Sequence, residues 1–106
     1  MKDQALRLII LEDNPDEAGL IVQELEREGF AVEWSRVDTE NTFREALAGS
    51  PDLILADCNI PSFDCMAAIN KARQSAIPLI IVSETADGAF VVECMRSGAT
   101  DYVLKD

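Results

Sequence analysis

A chain of 106 residues has room for one domain and one core of ordinary size, and an apolar content of 48% is far above that of disordered segments. No apolar run approaches the roughly 20 residues of a membrane span, and Lys2 is followed by no apolar segment of the secretory kind. A net charge of −11 disfavours nucleic-acid backbones and anionic membranes as direct partners of this domain. Cys58, Cys65 and Cys94 form no CxxC pair and the chain has no histidine, which disfavours a zinc site and reads as free thiols in a reducing cytoplasm.

In chain order, Leu8-Ile9-Ile10-Leu11 reads as a buried strand. Asn14-Pro15-Asp16 breaks it and supplies a helix start, with Pro and acidic residues in the first turn. Ala18, Ile21, Val22 and Leu25 follow with helical spacing, and Gly29 is the expected stop. Phe30 to Trp34 alternates weakly, as expected of a second strand near an edge. Asp38 or Thr39 caps a helix whose Phe43, Ala46 and Leu47 share one face, and Gly49-Ser50-Pro51 ends it. Leu53 to Ala56 is a third strand. Asp64 starts a helix with Cys65, Ala68, Ile69 and Ala72 on one side. Pro78 to Val82 is a fourth strand, a helix runs from about Ala86 to Ser97 with Gly98 closing it, and Tyr102-Val103-Leu104 is a short fifth strand.

Strands that are continuously apolar, rather than alternating, belong to parallel sheets with helices on both faces. The βαβαβαβαβ order with right-handed crossovers therefore gives a doubly wound α/β sheet. A further helix is expected after the fifth strand. The chain stops at Asp106, so the expectation is one domain over residues 1–106, truncated before its last helix, with one sheet face only partly covered.

In such sheets ligands bind outside the carboxyl ends of the strands. Those ends carry Glu12 and Asp13, then Asp57, Ser83 and Lys105. Singly, each is an ordinary turn, cap or surface residue. Together they place three acids, a hydroxyl and an ammonium on one rim. Crowded carboxylates repel unless a cation holds them. Oxygen ligands with retained water suit Mg²⁺, and a carboxylate beside such an ion is a nucleophile for phosphoryl groups.

The pieces "LEDNPDE", "PDLILADCNIP" around Asp57, "PLIIVSE" through Ser83 and "GATDYVLK" ending at Lys105 give the chain its resemblance to response regulator receiver domains of two-component signalling, from Leu8 to Lys105. The resemblance implies a flavodoxin-like, five-stranded parallel sheet of order 2-1-3-4-5. It implies that Asp57 accepts a phosphoryl group from a sensor histidine kinase or a histidine phosphotransfer protein. Asp13 and Asp57 then hold Mg²⁺ directly, with the main-chain carbonyl of Asn59, and Glu12 helps through water. Lys105 pairs with the phosphate, Ser83 hydrogen-bonds to it, and Tyr102 is the switch aromatic; Pro61 matches a loop proline. The implied role is a cytoplasmic signalling switch rather than a turnover enzyme, with homodimerisation open. Departures from the family pattern are Cys65 where Gly is common, Glu84 where a small residue is common, and Asp106 where Pro is common. Two alternatives remain: a receiver-like interaction module that is not phosphorylated, and an Asp-nucleophile phosphohydrolase. The second lacks its general acid, because the position two residues after Asp57 is Asn59.

Overall fold

The computed structural model describes residues 5–58, 60, 63–84 and 87–104. Five strands alternate with four helices: β1 (Leu6–Leu11), α1 (Pro15–Arg27), β2 (Val32–Val37), α2 (Glu40–Leu47), β3 (Leu53–Ala56), α3 (Cys65–Gln74), β4 (Leu79–Ser83), α4 (Gly88–Ser97) and β5 (Asp101–Leu104). The strands form one sheet of order β2-β1-β3-β4-β5, with every pairing parallel. Among the described residues no helix is long and apolar enough to cross a membrane.

The sheet divides two apolar layers, as the period-two geometry of strands requires. Ile9, Leu11, Ile54, Ala56, Leu79 and Ile81 face one way and pack with Phe43 of α2, Ala68, Ile69 and Ala72 of α3, and Cys94 of α4. Leu8, Ile10 and Leu55 face the other way onto Ala18 and Val22 of α1, with Ile80 and Val82 at the margin. Three helices thus cover one face and one helix the other. Leu20, Val103 and Leu104 are exposed, and with Ile21 and Val82 they line a shallow apolar groove between α1 and β5.

Helix starts follow local chemistry. Asn14, Asp64 and Asp87 each accept a hydrogen bond from the amide two residues on, at 2.9, 2.9 and 3.0 Å. Thr39, not Asp38, caps α2, through a reciprocal pairing with Thr42. The α4 start is Gly88 behind Asp87; Ala86, the expected start, lies outside the described residues.

The second strand is displaced from its expected position. Gly29, at φ 100°, and Phe30 are consumed in closing α1, where the Phe30 amide donates to the Leu25 carbonyl (3.1 Å). Pairing then carries β2 on to Val37, opposite Leu11, through the exposed Ser35 and Arg36. The backbone ladder, not burial, holds that stretch. It is an edge strand, as expected.

Two substitutions test this framework. Ile54 is fully buried in β3, so Ile54→Ala is expected to cost about 2–5 kcal/mol, read as a lower urea midpoint at unchanged slope. Gly98 ends α4 at φ 118°, and a Cβ there would stand 2.8 Å from Cδ of Arg73. Gly98→Ala is expected to cost roughly 1–2 kcal/mol for the left-handed backbone, in the same assay.

Candidate functional site

The site begins with the central strand pair. Register sets Leu11 opposite both Val37 and Ala56, so β1, β2 and β3 end level with one another. One hydrogen bond past each ladder extends the alignment. The Asp57 amide donates to the Leu11 carbonyl (2.9 Å), and the Glu12 amide donates to the Val37 carbonyl (3.0 Å). The residues that follow two apolar strands are therefore held side by side, with Glu12 and Asp57 bordering one narrow crevice, too tight to admit water, together with Ile10, Ile21, Leu55 and Val82.

Glu12 is only 2% exposed, which is costly for a carboxylate unless it is hydrogen-bonded. Its Oε2 accepts from the Asn14 amide (3.1 Å), and its main-chain carbonyl accepts from Nη1 of Arg36 (3.1 Å), which also reaches Asp38 (3.2 Å). No buried side-chain nitrogen or oxygen among the described residues lacks a partner. Sequence reading did not single out Arg36. Its signal was weak: a cation on an edge strand, level with the acidic rim.

Asp13 follows Glu12 at the exposed lip, and Asp57 is half-buried. Ser83 is the last residue of β4 and is 2% exposed. It stands two residues past Ile81, the register partner of Ala56, and is thus level with the start of the loop after β3. Tyr102 pairs with Ile81 on β5. Its half-buried ring meets Phe90 of α4 edge to face, with centroids 6.5 Å apart and planes at 79°. Glu84 is exposed. Asn59, Pro61, Lys105 and Asp106, which the sequence reading also names, lie outside the described residues.

The donor chemistry at the rim is oxygen-only. Among the described residues no three acidic, Cys or His side chains converge closely enough to make a metal cage. Mg²⁺ does not require one: it takes one or two carboxylates and keeps several waters. The exposed carboxylate of Asp13, next in sequence to Glu12, and the half-buried carboxylate of Asp57 are the donor types that mode uses.

The cysteines correct the sequence reading. Cys58 and Cys65 are joined in a disulfide with Cα atoms 5.2 Å apart, and only Cys94, buried in α4, is a free thiol. Burial, together with the neighbouring Glu93, pushes the Cys94 thiol above its ordinary range. The pairing was hidden because the cysteines are seven apart in a loop whose return path no periodicity reveals.

The chain matches the family model described as response regulator receiver domain over residues 8–106. It is 37% identical over 82 residues to the transcriptional regulatory protein CseB of Streptomyces avermitilis, covering 76% of this chain and 34% of that protein. It is 31% identical over 100 residues to the response regulator ArlR of Staphylococcus saprophyticus, covering 93% of this chain and 45% of that protein. The chain thus spans about a third to a half of the length of these relatives. Its fold is that of the signal receiver domain of NarL from Mycobacterium tuberculosis, with a TM-score of 0.84 at 22% identity over 97% of this chain and 86% of that one. It is likewise that of the BeF3-activated receiver domain of RstA from Klebsiella pneumoniae, with a TM-score of 0.81 at 24% identity over 93% and 85%. The strand order that the resemblance implies is the one observed, and the family match extends over nearly the whole chain: it belongs to the response regulator receiver domains of two-component signalling.

Proposed function

We propose that Asp57 is the phosphoacceptor of this receiver. The observation that carries the reading is its position: a carboxylate at the end of a buried central strand, its own amide pinned to Leu11, beside the buried and hydrogen-bonded Glu12. A carboxylate oxygen of Asp57 attacks the phosphorus of a phosphohistidine on a sensor kinase or phosphotransfer protein. The new O–P bond forms as the P–N bond breaks, and the imidazole leaves. Positioning and charge stabilisation do most of the work in such transfers.

Asp13 and Asp57 would hold Mg²⁺, with the main-chain carbonyl of Asn59 and, through water, Glu12. When bound there, the ion would supply charge neutralisation to the transferring phosphoryl oxygens. Lys105 would balance the charge on the phosphorylated carboxylate, and Ser83 would donate a hydrogen bond to it. Ser83 stands level with the chain leaving β3, and Tyr102 lies on the neighbouring β5. A shift of Ser83 toward the phosphate would open space for Tyr102 to turn inward from its contact with Phe90. Such a local charge event acting on a bistable element makes the domain a switch rather than a turnover enzyme. A cytoplasmic setting follows from a kinase donor. The interaction-module and phosphohydrolase readings gain no observation of their own.

Incubation with Mg²⁺ and a small phosphodonor is expected to add one phosphoryl group, at Asp57, by mass spectrometry; the same gain by Asp57→Asn would refute the assignment. Asp13→Ala is expected to keep its circular dichroism spectrum but to lose Mg²⁺ affinity by about tenfold or more, measured by titration calorimetry. Unchanged affinity would remove Asp13 from the ion's ligands.

A further inference from the structure

Cys58 directly follows Asp57, whose amide is fixed to Leu11, and Cys65 is the first residue of α3, behind the cap Asp64. The bond between them joins the chain just past the phosphoacceptor to the start of a core helix. Both cysteines are half-buried, so neither is sealed from a small thiol, whereas Cys94 is fully enclosed.

Their nearness does not depend on the bond alone. Between them Ile60 is 4% exposed in the core. The Phe63 amide donates to the Ile60 carbonyl (3.2 Å), and the Phe63 ring packs edge to face on Phe43, centroids 5.3 Å apart. These contacts hold Ile60 and Phe63 to the core without drawing on the bond, and the 5.2 Å Cα separation lies within the range that a disulfide spans. Ring closure is then favoured by proximity.

We propose that Cys58 and Cys65 form a reversible thiol–disulfide couple, a redox modification site whose oxidation slows phosphoryl acceptance at Asp57. The effect on Asp57 rests on the phosphoacceptor reading; the couple itself does not. The oxidant is a low-molecular-weight disulfide, R–S–S–R. One cysteine sulfur attacks it, breaking its S–S bond, forming a mixed disulfide and releasing R–SH. The second cysteine sulfur then displaces the other R–SH, so that two protein thiols are oxidised and one R–S–S–R is reduced, with both protons leaving on R–SH. A dithiol reductant reverses the step. With the bond closed, the main chain is held on both sides of Asp57, by Leu11 before it and by α3 after it. Its carboxylate then has less freedom to align in line with an incoming phosphorus.

The test equilibrates the chain in oxidised or reduced glutathione, traps free thiols, maps the linkage by mass spectrometry, and measures phosphorylation by a small donor with Mg²⁺. The expected result is reversible Cys58–Cys65 linkage with Cys94 unmodified, and phosphorylation about tenfold slower in the oxidised chain. The Cys58→Ser/Cys65→Ser chain is expected to react at the reduced rate in both buffers. The wild-type comparison needs no variant, should that one fail to fold. Failure of the linkage to form, or equal rates in the two states, overturns the proposal. If neither state is phosphorylated, the phosphoacceptor reading fails instead. The couple is then judged by amide hydrogen exchange at Cys58 and Ile60: slower exchange in the oxidised chain upholds it, and equal exchange overturns it.

Discussion

The structure depends on the parallel register of β1 with β3. Leu11 opposite Ala56, closed by the Asp57 amide on the Leu11 carbonyl, brings two strand ends to the same level. Everything chemical at the rim follows from that alignment. A slip of one residue would turn every side chain of β3 to the opposite layer, moving Ile54 out of the larger core and Asp57 away from Glu12. The apolar packing that fixes the register is therefore also what aims the carboxylate. Burying Ile54 and Ile81 completely is the structural condition for a rigid mount, and the charged residues occupy the first positions where the chain leaves that core.

The two faces of the sheet differ in a way that bears on function. The face under α2, α3 and α4 carries the larger core and the ring of Tyr102, together with the Cys58–Cys65 link. The face under α1 carries the crevice of Glu12 and Asp57 and leaves Val103 and Leu104 exposed. In the proposed reading, an event at the rim is read across the sheet by Ser83 and Tyr102, from the thinly covered side to the well-packed one. Packed cores answer such events by discrete rearrangement rather than smooth deformation.

Much of this was legible in the sequence because the signals were physical ones. Continuous apolar strands, cap residues and Gly98 gave the element order, and the motifs ending at Glu12–Asp13, Asp57, Ser83 and Lys105 gave the topology by resemblance. What escaped was decided by contacts between distant segments. The second strand was misplaced because Gly29 and Phe30 close α1, while backbone pairing extends β2 through polar residues that carry no hydrophobic pattern. Arg36 was missed because the contact that ties it to the rim is to the main-chain carbonyl of Glu12, which no side-chain motif encodes. The cysteines were read as free because pairing depends on the path of the loop, held by Ile60 and Phe63, and not on spacing. Lys105 and Asn59 keep the roles that the resemblance gives them, as proposals.

The central claim is that the carboxylates at the ends of β1 and β3 make one phosphoryl-binding rim coupled to Tyr102. It is tested most directly by adding beryllofluoride, a phosphoryl mimic, with Mg²⁺ and following amide NMR shifts residue by residue. The account predicts saturable shifts at Glu12, Asp13, Asp57 and Ser83 that extend to Tyr102 and Phe90, all lost in Asp57→Asn. Shifts that are absent, that centre elsewhere, or that persist without the Asp57 carboxylate would contradict it.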